Sequence, residues 1–264
     1  FGADMGAQKF FDIKCRASGM APDCAVVVAT VRALKMHGGV GRIVAGKPLD
    51  PALLEENPEA VKVGGENLSA HIEMVRRYGV PVVVAINAFP GDAESEFEAI
   101  REVALAAGAR DAVVTTHWAD GGAGSEALAA AVWDACEQDT DFQLLYPDEL
   151  SLPDKIETIA VKVYGADGVD FAPVASKALA LYDQLGYSHL PVCMAKTHLS
   201  ISHDPQLLGR PTGFRVPIRD VKLAAGAGFI YPLAGDMRTM PGLPSKPAGN
   251  NVDIDENGKA IGLF

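Results

Sequence analysis

From residue 24 onward, apolar runs alternate with stretches of helical period. CAVVVAT (24–30) is a continuous β-branched run and predicts a strand. LSAHIEMVRRYG (68–79) has the period of a helix, closed by Gly79, and VPVVVAI (80–86) predicts the next strand. Asp92 is a candidate cap for a helix over 94–107, where Phe97, Ile100, Val103 and Ala104 share one face. DAVVTTHW (111–118) predicts a third strand, and GGAGS (121–125) leads into a helix over 126–137. Unbroken apolar strands joined by helices imply an α/β fold: a mostly parallel sheet with helices on both faces. A second section comes next, with helices near 153–163 and 172–185 around the turn YGADG and a strand at LPVCMAK (190–196). FRVPIRDVKLAAGAGFIYPLAGDM predicts further strands, or a strand and a helix, and the Pro/Gly/Asn-rich tail predicts an extended surface segment.

Composition narrows the function classes. The 264 residues carry a net charge of −11, and no basic block is present. A nucleic-acid groove or an anionic membrane surface wants the opposite sign. No run of about 18 apolar residues exists, so no membrane span is expected. Cys15, Cys24, Cys136 and Cys193 are scattered without a C-x-x-C and read as reduced thiols of a cytoplasmic protein. The opening, FGADMGAQKFFDIKCR, has no apolar core and no initiator Met, and reads as the middle of a chain.

GRIVAGKP (41–48) fits the first part of a phosphate loop and then fails. Pro48 replaces the hydroxyl residue that would hold a metal ion, and it has no N–H to offer a phosphate. Pro51 breaks the chain again, so a chance match in a connecting loop is the better reading. GGAGS could expose N–H groups to an anion or be a simple turn. The six histidines show no metal-ligand spacing, and no metal site or catalytic residue is assigned. The strand ends carry more. In parallel sheets, ligands sit outside the carboxyl ends of the strands. Phe89-Pro90 follows one expected strand and Trp118 ends the next. If the strands are neighbours, the two aromatics either form a slot for a flat heteroaromatic ring or simply cover the end of the core.

INAFPGDAESE, THWADGGAG, YGADGV, FGADMGAQKFFDIKCR, ATVRALKMHGG and GDMRTMPGLPSKPAGNNVDIDENGKAIGLF are spread over the whole length of the chain, and together they resemble the formate–tetrahydrofolate ligase family. The resemblance implies a fold of the phosphate-loop NTPase-like type with a smaller C-terminal α/β domain. It implies the last part of a nucleotide-binding domain over 1–68, a folate-binding domain over 69–160 and the C-terminal domain over 161–264. It implies ATP, used with Mg, and tetrahydrofolate as substrates, ligation of formate through formyl phosphate, and a cytoplasmic homo-oligomer. Phe89 and Trp118 would sandwich the pterin ring, with Pro90 shaping the loop and Val114 as an apolar wall. Arg210, Thr212 and Gly213, in GRPTGF, resemble a segment that approaches the nucleotide. His198 and His203 depart from the commoner family residues, and His117 either tunes the pterin slot or faces solvent.

The family's phosphate loop and catalytic cations lie N-terminal to the part that this sequence resembles. One reading is therefore a piece of an ATP-dependent ligase whose remainder is the missing N-terminal half or a second chain. The other is a non-catalytic folate-binding or oligomerisation module. Either way, a parallel sheet without its earlier strands is expected to leave an apolar edge.

Overall fold

The apolar runs at 24–30, 80–86 and 111–118 become neighbouring parallel strands: β1 (Ala25–Ala29), β2 (Val82–Asn87) and β3 (Asp111–Thr115), in the order β1-β2-β3. The computed structural model describes residues 2–43, 48–236, 246–258 and 260–262. Val44–Lys47, the centre of GRIVAGKP, therefore lie outside the described residues. After Pro48 the chain makes a single 3-10 turn, Pro51–Leu53, rather than the helix a phosphate loop requires.

The first helix, α1, runs through Gly6–Lys9, Phe10–Cys15 and Arg16–Ser18 without a break, its middle part π-helical. Then come α2 (Val31–His37), α3 (Pro58–Arg76), α4 (Glu94–Ala106), α5 (Glu126–Cys136), α6 (Leu152–Lys162) and α7 (Pro173–Gln184). Alternation along β2 divides the helices around the first sheet between two faces. Val82, Val84 and Ile86 join the core made with Leu68 and Ile72 of α3 and Phe97 and Ile100 of α4. Val83 and Ala85 are also buried but outside that core, on the side where α5 packs against β2 and β3. The sheet is thus covered on both faces over β2, as expected. Among the described residues β1 is a free edge, and Val26 and Val28, on the α5 side, are 43% and 64% exposed.

Three boundaries differ from expectation. α3 begins well before Leu68. Asn57 caps it by accepting from Ala60 N at 2.9 Å, and Pro58 opens it. Gly64 and Gly65 hid this turn in the sequence, and close packing explains them: a Cβ on Gly64 would strike the Leu34 carbonyl of α2, and one on Gly65 would meet the Val103 methyls of α4. Asp92 does not cap α4, whose N-cap is Ala93, with Glu96 reaching back to Ala93 N at 3.0 Å. The third strand stops at Thr115, because Thr116 N donates to Gly124 O at 3.0 Å and turns the chain into a helical turn, His117–Asp120.

The second section folds around β4 (Val169–Phe171), β5 (Val216–Ala224) and β6 (Phe229–Ala234), with β4 parallel and β6 antiparallel to β5. The expected strand at 190–196 lies along β6 in parallel but as two isolated bridges, Val192 to Ile230 and Ala195 to Leu233. Pro232, lacking an N–H, leaves the ladder one bond short between them. Its core joins Ile156 and Ile159 of α6 to Val216, Ile218 and Ile230. Leu145 packs against both cores, and a buried Asp4–Lys196 ion pair at 2.5 Å ties the N-terminal segment to the second. In the tail, residues 237–245 lie outside the described residues. Beyond them the extended segment expected is a small antiparallel hairpin, β7 (Asp253–Ile254) with β8 (Ala260–Ile261). Among the described residues no helix is long and apolar enough to cross a membrane.

Candidate functional site

The carboxyl ends of β1, β2 and β3 open on one side of the sheet. Asn87 pairs in register with Thr115, so the loop carrying Phe89 and the turn carrying Trp118 leave adjacent strands. The two aromatics thus meet the condition for sharing one crevice. Ala88 N donates to Thr115 O at 3.1 Å and extends the junction beyond the ladder. The FPGD turn then closes on itself. Phe89 N donates to the Asp92 carboxylate at 2.9 Å, and Asp92 N donates to Phe89 O at 3.1 Å. Gly91 takes φ +95°, which a side chain would resist. Asp92 is therefore the clasp of the Phe89 loop, and burial raises its carboxyl above the usual range.

Below this loop lies a buried ion pair. Glu96 accepts from Lys35 Nζ at 2.5 Å, Asn57 N at 2.8 Å and Ala93 N at 3.0 Å. Lys35 also donates to Leu53 O and Glu55 O, at 3.2 and 2.7 Å. Burial alone would push the Glu96 carboxyl up, but its bonds from Lys35, Ala93 and Asn57 together hold it below the usual range. The pair fixes the starts of α3 and α4 relative to α2, and so the base of the FPGD loop.

Phe89 and Val114 are half-buried and Pro90 is exposed. Trp118 is 68% exposed on its helical turn, with large apolar area open to a partner. The turn is anchored by Thr115, whose hydroxyl donates to Gly124 O at 3.0 Å and contacts Ser125 Oγ at 3.0 Å and His117 Nδ1 at 3.1 Å. GGAGS is thus a 3-10 turn bonded to the strand end, and a Cβ on Gly124 would meet the Thr116 backbone at 2.6 Å. His117 is exposed, and its Nδ1 contacts the Thr115 hydroxyl.

Two groups add to the residues expected from sequence. The Arg32 guanidinium, in the first turn of α2, sits 3.6 Å from the Phe89 ring centroid. Its signal was an Arg two residues after the capping Thr30 at a strand end, inside ATVRALKMHGG. Asn87 Oδ1 is buried at the strand end with no hydrogen-bond partner among the described residues. An unpaired buried acceptor there is free to take a ligand N–H.

Arg210, Thr212 and Gly213 are brought elsewhere. Arg210 holds Glu73 of α3 through two bonds, at 3.0 and 2.6 Å, and with Thr212 lines a cleft against Met74 and Tyr164. Gly213 takes φ +71°. The loop is docked by Gly209, whose N–H donates to His37 Nδ1 at 3.0 Å and whose carbonyl accepts from Asn67 at 2.9 Å. Burial holds His37 below the ordinary histidine value, in keeping with an acceptor Nδ1.

The family model for formate–tetrahydrofolate ligase matches residues 1–264, the whole chain. The chain belongs to the formate–tetrahydrofolate ligase family. A formate–tetrahydrofolate ligase of Desulforamulus reducens is 57% identical over 264 residues, and one of Roseiflexus castenholzii is 60% identical over 263. Each match covers all of this chain and 47% of the relative. The cytoplasmic C-1-tetrahydrofolate synthase of Schizosaccharomyces pombe is 53% identical over 264 residues, 28% of its length. The chain thus spans about half the length of the formate–tetrahydrofolate ligases it matches.

Proposed function

We propose that this chain is the folate-holding part of an ATP-dependent ligase that joins formate to tetrahydrofolate. The products are formyltetrahydrofolate, ADP and phosphate. In this reading ATP phosphorylates formate, and the folate amine attacks the carbonyl of formyl phosphate and expels phosphate. Membership of the ligase family supports the activity. The observation that carries the folate role is the pairing of Phe89 and Trp118 at the ends of adjacent parallel strands. Phe89 and Trp118 would bury the two faces of the pterin, Val114 and Pro90 would bound it, and Asn87 Oδ1 would accept a pterin N–H. Within the reading, 69–160 holds folate, 1–68 and the Arg210–Gly213 loop stand toward the nucleotide, and 161–264 completes the C-terminal domain. The phosphate-handling residues are assigned to the rest of the protein or a second chain, and the assembly to a cytoplasmic homo-oligomer. Among the described residues no three His, Cys, Asp or Glu side chains group to hold a metal ion.

Tetrahydrofolate titration followed by Trp fluorescence tests the slot. Stacking on an aromatic contributes about 1–3 kcal/mol, so Trp118→Ala is expected to weaken binding roughly 5- to 150-fold. Trp133→Phe, on the exposed face of α5, serves as the control and should leave the affinity unchanged. Equal affinity of Trp118→Ala and the wild type would sink the slot. Product formation by the chain alone, from ATP, formate and tetrahydrofolate, would sink the assignment of phosphate handling elsewhere.

A further inference from the structure

Cys24 and Cys136 are far apart in the chain and meet at one corner of the fold. Cys24 immediately precedes β1 and shares its alternation with Val26 and Val28, the exposed face of that strand. This is the face on which α5 lies against β2 and β3. α5 runs back from the carboxyl edge of the sheet toward the starts of the strands and ends on Cys136. Topology therefore brings both side chains to the same face and the same end. There burial, together with a Cys136 side chain near enough to act with it, raises the Cys24 thiol, which donates to Ala25 O at 3.7 Å. Cys136 is exposed and Cys24 is half-buried behind it. The other two thiols are differently placed: Cys15 is buried in the first core, and Cys193 lies in the segment along β6, beside Lys9.

We propose that Cys24 and Cys136 form an oxidation site, at which a peroxide converts the thiol pair into an intramolecular disulfide between the start of β1 and the end of α5. The exposed Cys136 meets the oxidant first. Its sulfur attacks one peroxide oxygen, the O–O bond breaks, and a sulfenic acid and one water form. The Cys24 sulfur then attacks the sulfenic sulfur, displacing hydroxide, which leaves as a second water with the Cys24 proton. Two thiols lose two electrons and two protons, and one peroxide becomes two waters. The bridge closes a loop of about 110 residues, a length at which cross-linking restricts the unfolded chain strongly. It also fixes the edge strand to the helix on its open face.

The purified, fully reduced protein is treated with one equivalent of hydrogen peroxide, denatured, alkylated and mapped by mass spectrometry. The expected product links the Cys24 and Cys136 peptides with the loss of two hydrogens, while Cys15 and Cys193 are alkylated. Tm should rise by roughly 5–15 °C on oxidation. Dithiothreitol should reverse the rise, and Cys24→Ser and Cys136→Ser should each lack it. A sulfinic acid on Cys136 beside an alkylated Cys24 would overturn the proposal. So would a Cys136–Cys136 dimer on a non-reducing gel.

Discussion

Replacing Glu96 with Ala tests the support beneath the Phe89 loop. The side chain is fully buried and receives Lys35 Nζ, Asn57 N and Ala93 N, all within 3.0 Å. Its removal leaves the Lys35 ammonium, only 2% exposed, with two carbonyls and no counter-charge. Removing one member of a buried pair typically costs about 3–5 kcal/mol, because the other charge stays desolvated. The two orphaned amides fall within the same rearrangement and are not added. For a chain of this size each kcal/mol lowers Tm by about 2–4 °C, giving a drop of roughly 6–20 °C. Urea unfolding measures the loss directly. Lys35→Met with Glu96→Leu, which removes both charges, should cost less than either charge-leaving single change. The carboxyl is held below its usual range, so its contribution is present above about pH 4.3 and is lost as pH falls through the folded value. The gap between wild type and Glu96→Ala should therefore narrow in acid. A loss under about 1 kcal/mol at pH 7, or a gap that widens in acid, would refute the reasoning.

Three further outcomes are expected. Arg32→Ala uncovers the Phe89 ring, and a cation–π contact contributes about 0.5–2 kcal/mol, so tetrahydrofolate should bind roughly 2- to 30-fold more weakly; tighter binding would mean Arg32 blocks the slot. Gly64→Ala drives a methyl into the Leu34 carbonyl and should lower stability by about 1–3 kcal/mol, whereas Gly122→Ala, with open space around it, should stay within about 0.5. Equal urea midpoints for these two variants would contradict the close packing of α2 on α3. Val28→Lys places a charge on the free, apolar edge strand and should lower any self-association seen by light scattering; a wild type that is monomeric at high concentration would remove the premise.

The β-branched runs announced the first sheet because each is buried on at least one face, and burial is what periodicity reports. β2, covered on both faces, was the plainest run. The errors lie where tertiary contacts overrule local signals. Gly64 and Gly65 look like helix breakers until α2 and α4 are seen against them. Asp92 looks like a cap because its spacing fits one, but the FPGD turn offers its carboxylate a nearer donor in Phe89 N. Pro232 left the ladder beside 190–196 one bond short from the neighbouring strand, where a single-segment reading cannot look. At the site, Phe89 and Trp118 were legible as residue types at strand ends, whereas Arg32 was not, since only the fold carries α2 over the FPGD loop. The unpaired Asn87 Oδ1 belongs to the same class. An amide at the end of an apolar strand is ordinary by pattern, and acquires meaning only when its folded neighbours supply it no donor. In the proposed function, a strand end held by a clasp and a buried ion pair, with one acceptor unpaired among the described residues and the Trp118 ring 68% exposed, would take a flat ligand that supplies both an N–H and a ring.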